Sequence, residues 1–286
     1  MLRNMHSRAA SSSALCIGFL LAAAAASPVL AGTKIEIKYA ITYLGVTTGS
    51  GRWQIEVASD QYAITASGQV KGMMSALIDG QGSGSARGAL PHGHLTVSRF
   101  DAHVVSTAEN DSIQMSFQSG AVTELLVLPP FPPLPKRVPV TDNLLQGVID
   151  PLSAAPVFVD SHGDVVSDAC ERRLSIFDGR RRYDVDLSFK RAENIAISPA
   201  YRGTATVCSV HLIPIAGQEV DSSAIKYLIE SNDIEIQFAF IPEAHILVPV
   251  AASVPMLIGT VHVNPEQIDV AISNTTEVPE IPQLRH

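Results

Sequence analysis

The chain has 286 residues, 46% apolar and 17% charged, with 28 acidic side chains against 20 basic ones. A formal charge of −8 opposes binding to nucleic-acid phosphates and to strongly anionic lipid surfaces. Beyond residue 31 no run approaches 18 uninterrupted apolar residues, which excludes a membrane-spanning helix in that part of the sequence.

Residues 1–31 have the three parts of a cleavable secretory signal. Arg3 and Arg8 supply the positive start, residues 14–26 form an apolar run, and Pro28 precedes Val29, Leu30 and Ala31 at the cleavage positions. Thirteen helical residues reach about 20 Å, short of the roughly 30 Å hydrocarbon core, so the run does not read as an anchor. Leu15-Cys16 resembles the end of a lipid-attachment site, but Cys16 opens the apolar run, where a lipidated cysteine would follow it. The expected product is a free exported chain beginning at Gly32, in which 18 basic residues face 28 acidic ones for a formal charge of −10. It keeps Cys170 and Cys208. In an oxidising compartment one disulfide is their simplest state, and two buried thiols are the alternative.

Strand signals dominate the exported part. Ile35, Ile37, Tyr39, Ile41 and Tyr43 alternate with Glu36, Lys38, Ala40 and Thr42, which predicts a strand over residues 33–43. After a turn region over 45–51, Trp53, Ile55 and Val57 continue the period. Ser59-Asp60 then turns the chain into Tyr62, Ile64 and Ala66, so an antiparallel meander is expected. Residues 72–78 (GMMSALI) predict one or two helical turns. Gly80, Gly82, Gly84 and Gly88 follow with no phosphate-binding spacing, and read as a flexible or bulged strand entry. Further strands are expected near 95–100, at Ile113, Met115 and Phe117, and over 122–128.

Six prolines between Pro129 and Pro139 then predict an extended connector. Asp150-Pro151 has the form of a helix start. Asp178-Gly179, between Leu174 and Ile176 on one side and Tyr183, Val185, Leu187 and Phe189 on the other, predicts a hairpin. Strands follow over 204–212, 234–240, 246–250 and 258–263, with a short helix over 222–230. The expected organisation is one β-rich domain over 32–273, with halves 32–128 and 140–273 joined through connector 129–139, and a frayed tail over 274–286. Whether the halves make one sheet or two stays open.

Few residues group into recognisable chemistry. Residues 178–186 (DGRRRYDVD) are the densest charged cluster. Asp178, Arg180, Arg182 and Tyr183 are the candidate binding residues, since arginines there suit an anionic group, although pairing with acids across the strands is the favoured account of them. Ser223 and Lys226 match S-x-x-K without the companion motifs of that chemistry. His92 and His94 have the spacing of a metal pair but no nearby carboxylate or cysteine, so no metal and no cofactor is implied. His211, His245 and His262 lie in strand patterns.

Residues 147–154 (GVIDPLSA), Cys170 with residues 177–184 (FDGRRRYD), and the stretch from Tyr201 and Gly203 through Cys208 to residues 214–217 (PIAG) carry a resemblance. With Tyr43-Leu44-Gly45 they resemble the bacterial exported family known as domain of unknown function 3108, over roughly residues 37–265. The resemblance implies a periplasmic, β-rich protein of a Gram-negative bacterium, with Cys170 and Cys208 paired. It brings no reaction, substrate or catalytic residue.

The expected fold is therefore all-β: a curved antiparallel sheet or half-open β-barrel with a few short helices on one side. The expected function is non-catalytic: a periplasmic carrier or chaperone-like protein for a lipid or other apolar ligand, or for an envelope partner. A structural part in an envelope complex is the alternative. A hydrolase of envelope polysaccharide is a third reading, and would need carboxylates such as Asp150, Asp178 and Asp184 to converge in a cleft.

Overall fold

Ile35, Ile37 and Tyr39 are buried while Glu36 and Lys38 between them stay half-exposed, so the period of two in the sequence is the period of the fold. The computed structural model describes residues 32–58, 60–71, 80–91, 94–107, 110–130, 136–159, 169–197, 201–219 and 221–273. The expected signal, the helical turns over 72–78, His92 and the tail lie outside these residues.

Fourteen strands make one sheet. Strands β1 (Gly32–Tyr43), β2 (Val46–Ala58), β3 (Gln61–Val70), β4 (Gly80–Ala89), β5 (Thr96–Ser106), β6 (Asn110–Gln118) and β7 (Ala121–Leu128) form a meander running outward from β1. After β8 (Val157–Phe158), strands β9 (Arg172–Phe177), β10 (Arg182–Ile197), β11 (Tyr201–Ala216), β12 (Glu235–Ile241), β13 (Ile246–Pro255) and β14 (Thr260–Ser273) run inward from the other edge. The two meanders meet where β1 pairs with β14, from Gly32 opposite Ser273 to Tyr43 opposite Val261. The halves on either side of the proline-rich connector therefore share one curved antiparallel sheet, with β8 added beside the start of β13.

The edge strands β7 and β9 do not pair with each other, so the sheet stays unclosed. Four residues span the seam. Gln146 bridges to Ala121, and the Gly147 and Val148 amides donate to the Gly120 carbonyl. The Ile149 amide donates to Ser175, and the Phe177 amide donates back to Ile149. A second stitch comes from the turn between β9 and β10. Gly179 there, at φ 91°, lies so close to β6 that an added Cβ would sit 2.3 Å from Ile113 Cγ2. Arg180 pairs with Asp111 of β6 at 2.9 Å.

One core cluster draws on both meanders: Ile35, Ile37, Trp53, Ile55, Tyr62, Ile64, Phe100 and Met115 pack with Phe177, Ala239, Ile241, Val248 and Ile268. Val148 of the seam segment belongs to it too. A second cluster uses the alternate residues of the C-terminal strands: Leu187, Cys208, Phe238 and Leu247, under Val157, Val159 and Cys170. The Cys170–Cys208 disulfide lies inside it, with Cα atoms 5.3 Å apart.

Several expectations change locally. Asp150-Pro151 opens a run of turns rather than a helix, because the Asp150 carboxylate folds over the next amides. The turn region at 45–51 shrinks to Leu44-Gly45, and β2 runs straight through Gly49 and Gly51. Likewise Gly80–Ala89 is strand throughout, with one bulge before Gly88. The expected hairpin at Asp178-Gly179 is present, with β10 starting at Arg182. So is the short helix: α1 (Ser223–Glu230), capped by the Ser222 hydroxyl accepting from the Ile225 amide, is the one α-helix of appreciable length among the described residues.

Replacing both Cys170 and Cys208 by Ala should cost about 3–4 kcal/mol, as expected for removing a bridge between residues 38 apart, and lower the melting temperature by several degrees. Unchanged melting, or two titratable thiols in the native chain, would contradict it. Gly179→Ala should cost about 1–3 kcal/mol, from the backbone conformation and the contact with Ile113 together. Gly120→Ala has a similar positive φ but open space around its Cβ, so it should cost less; the difference between the two, read by denaturant unfolding, isolates the seam contact.

Candidate functional site

The register decides which residues of β1 to β5 look into the concave side. From the buried Ile35–Ile55–Ile64–Ala86–Phe100 row, every second step leads through Tyr39, Gly51, Gly68, Gly82 and Val104 to Ile41, Gly49, Val70 and Gly80. Would-be Cβ contacts confirm the common face: Gly49 faces Ile41, Gly51 faces Tyr39, Gly80 faces Val70 and Gly82 faces Val104. Five glycines thus stand where core side chains would otherwise project. Four of them, Gly49, Gly68, Gly80 and Gly82, line a hollow of about 440 Å³ together with Ile41, Val70 and Val104, with Thr48, Gln69 and Gln81 beside them.

One step further in, the seam segment fills the space. Leu152 Cδ1 lies 3.2 Å from the position of a Cβ on Gly84. Next to it, Asp150 is fully buried. Its Oδ1 accepts the amides of Leu152 and Ser153, both at 2.9 Å, while Oδ2 has no hydrogen-bond partner. The Ser153 and Tyr62 hydroxyls are 2.8 Å apart. Burial pushes the Asp150 carboxyl up to about 6, with the Ser153 and Leu152 hydrogen bonds pulling the other way. Burial also lifts the Tyr62 phenol well above its usual range. This buried polar box forms the floor beneath the hollow rather than part of its lining.

The charged cluster does other work. Asp178 Oδ1 accepts the amides of Arg180 and Arg181, which closes the β9–β10 turn. Arg180 reaches across the seam to Asp111. Arg182 pairs with Asp184, whose carboxylate also accepts from the Ser175 hydroxyl. Tyr183 is half-buried, and burial raises its phenol. Asp178, Arg180, Arg182 and Tyr183 are thus together, but each charge among them is matched within the chain. The candidate hydrolytic carboxylates stay in separate roles: Asp150 in the box, Asp178 in the turn, Asp184 on Arg182. Ser223 and Lys226 lie on α1, where Lys226 is 3.9 Å from Asp221. His94 is exposed, and the described residues contain no group of three or more His, Cys, Asp or Glu placed to hold a metal.

A family model described as "protein of unknown function (DUF3108)" matches residues 38–264. The chain belongs to that family. Its resemblance-bearing segments have clear structural places, since residues 147–154 make the seam and the polar box, and residues 177–184 make the second stitch. No curated protein matches the chain significantly. Among solved structures, it is similar to a β-barrel-like protein of domain of unknown function DUF1849 from Brucella abortus, at 9% identity and TM-score 0.46, covering 86% of this chain and 99% of that one. It is also similar to the hypothetical protein CT021 from Chlamydia trachomatis, at 10% identity and TM-score 0.29, covering 87% and 92%.

The raised Asp150 carboxyl predicts a pH dependence. Between about pH 4 and 6 the folded chain holds a proton that the unfolded chain, near the ordinary aspartate value of 3.8, has released. Stability from this group therefore falls as pH rises through that window, by about 3 kcal/mol in all. Asp150→Asn keeps an acceptor for the two amides, and its stability profile from pH 4 to 7 should be flatter than the parent's by that amount. Equal slopes in chemical denaturation would refute it. Glu235, held down to about 2 chiefly by Arg191, acts in the separate acid window, where stability is lost as pH falls.

Proposed function

We propose that the chain is exported through residues 1–31 and acts in the periplasm as a non-catalytic carrier of an apolar ligand, an acyl chain or similar, held in the glycine-lined hollow. The observation that carries this reading is the lining itself. It presents Ile41, Val70, Val104 and four glycines, with Thr48, Gln69 and Gln81 as its polar residues and no ionisable side chain, in a volume within the range of small-ligand sites. Backbone amides and carbonyls there are already paired in the ladders, so the wall offers contact area rather than hydrogen bonds, which suits a hydrocarbon. Two other cavities differ in kind. One of about 520 Å³ shares Gly68, Gln69, Gln81 and Gly82 with the hollow and adds the charged or polar side chains of Lys38, Arg52, Lys71, His103 and Glu266. Another of about 580 Å³ contains Arg202 and Glu243.

Filling the hollow tests the proposal. A Cβ on Gly68 would meet nothing closer than 3.6 Å, and one on Gly82 nothing closer than 3.7 Å, so both accept a side chain without a backbone shift. The double variant Gly68→Leu, Gly82→Leu should melt no lower than the parent, since leucine replaces glycine inside strands. It should lose at least about tenfold in affinity for the apolar fluorophore N-phenyl-1-naphthylamine. Native mass spectrometry of the chain taken from its own periplasm should show a lipid-mass adduct on a species beginning at Gly32, absent from the double variant. Equal dye binding by parent and variant, or no saturable binding by either, would overturn the carrier reading.

A further inference from the structure

The hollow opens one rung from the tip of the β1–β2 hairpin, because Ile41 and Gly49 line it and Tyr43–Val46 is the last pair before the turn. The β13–β14 hairpin ends at the same place. Tyr43 is paired with Val261, and a Cβ on Gly259 would lie 2.4 Å from Leu44 Cδ2. These two adjoining tips expose five large apolar side chains: Leu44 at 62%, Val46 at 55%, Met256 at 41%, Leu257 at 61% and Ile258 at 72%. Isolated exposed apolar side chains are ordinary, but five on two touching turns form a patch.

Three further features describe the medium this patch fits. First, residues 39–51 and 244–265 contain no Asp, Glu, Lys or Arg, in a chain with 17% charged residues. Second, the turn residues are the wrong ones for water. Leu44 and Gly45 both have positive φ, 49° and 78°, the two-residue turn for which asparagine or glycine is favoured at the first position. The β6–β7 turn has the same geometry and carries Ser119-Gly120. A leucine held in the left-handed region costs on the order of 1 kcal/mol, and the turn gains nothing from it in water. Third, part of the backbone at the tip is bonded internally. The Tyr43 hydroxyl donates across to the carbonyl of Ile258, the most exposed apolar residue, at 2.5 Å. The Met256 amide donates to Gly259, and Pro255 has no amide hydrogen to satisfy. Water would saturate these groups without help; hydrocarbon would not.

From these we infer that the paired tips, Leu44 with Val46 and Met256 with Leu257 and Ile258, are a lipid-docking surface that inserts into the outer layer of an uncharged or zwitterionic bilayer. Insertion is driven by apolar burial and not by charge, in keeping with the chain's net negative charge. Tyr43, with its ring among apolar residues and its hydroxyl bonded, sits at the level an interfacial aromatic occupies. The docked tips put the hollow's mouth against the membrane, so an acyl chain could pass between them without crossing water. That last consequence rests on the carrier reading; the docking itself does not.

Vesicle flotation of the full chain, expressed with its leader and purified from the periplasm, tests this with phosphatidylcholine vesicles at low and high salt. The chain should float equally well at both. Leu44→Asn places a residue favoured by the turn, so its melting temperature should hold or rise while its partitioning falls at least about tenfold. Leu257→Ser with Ile258→Ser should lose flotation likewise. The Gly68→Leu, Gly82→Leu chain should still float, which keeps this result separate from the ligand test. The inference is overturned if the parent stays unbound, if binding disappears at high salt, if Leu44→Asn floats like the parent, or if sedimentation without lipid shows a dimer that Leu44→Asn dissociates.

Discussion

The ladder between the first strand and the last is the constraint from which the rest follows. β1 and β14 pair along their whole length, so both chain ends of the domain lie in the middle of the sheet and both sheet edges fall in the middle of the chain. Closing a loop of that size costs little more entropy than closing a much shorter one, because the cost grows with the logarithm of length. Burial along the ladder offsets it: Ile35, Ile37 and Ile268 are almost fully buried, each contributing roughly 1.5–3 kcal/mol. Once the ends are joined in this way, the chain between β7 and β9 has to travel from one edge to the other. Its described residues do so across the open side, which is why they carry the seam, the polar box and β8.

The concave face has a gradient in side-chain size. Along β2 the inward residues run Val57, Ile55, Trp53, Gly51, Gly49; along β3 they run Tyr62, Ile64, Ala66, Gly68, Val70. Along β4, Ala86 gives way to Gly84, Gly82 and Gly80. Glycine inside a strand costs about 0.5–1 kcal/mol relative to alanine, so a row of them is a considerable sacrifice of stability. Sheet curvature alone does not require it, since four of these glycines, Gly51, Gly68, Gly80 and Gly82, leave room for an added Cβ at ordinary contact distance. What the row secures is space.

Much of this was legible in the sequence and some was not, for physical reasons. Alternation marked β1, and Asp178-Gly179 and Ser222 marked a turn and a helix start, because each signal is local and each local preference agrees with the final fold. Asp150-Pro151 misled. The same aspartate-proline start serves a helix or a capped turn, and the choice depended on residues from the far half, with Tyr62 beside Ser153 and Gly84 beneath Leu152. The charged cluster suited ion pairing or an anion, and sequence places Arg180 near Arg182 but cannot name Asp111 as a partner. The hollow was missed outright, although its signal was present. Glycines at 80, 82 and 84 and at 49 and 51 recur with a period of two, and so share a face of any strand they occupy. Reading them as breakers of a strand rather than as one side of it concealed the cavity.

A wall of glycine is a weak wall. It has no side chains to interlock, and left to itself such a sheet would flatten or collapse inward until the hollow disappeared. The segments that identify the family oppose both movements. Gln146 to Ile149 hold the two edges at a fixed separation, Gly179 and Arg180 fasten the C-terminal edge to β6, and Leu152 is wedged over Gly84 at the hollow's inner end. Asp150, buried with one oxygen unpartnered, shapes the turn that holds Leu152 there, a costly arrangement for a residue whose only service is geometry. The most distinctive motifs of the chain are thus scaffolding at the hollow's inner end, and the lining they protect is written in its least distinctive residue.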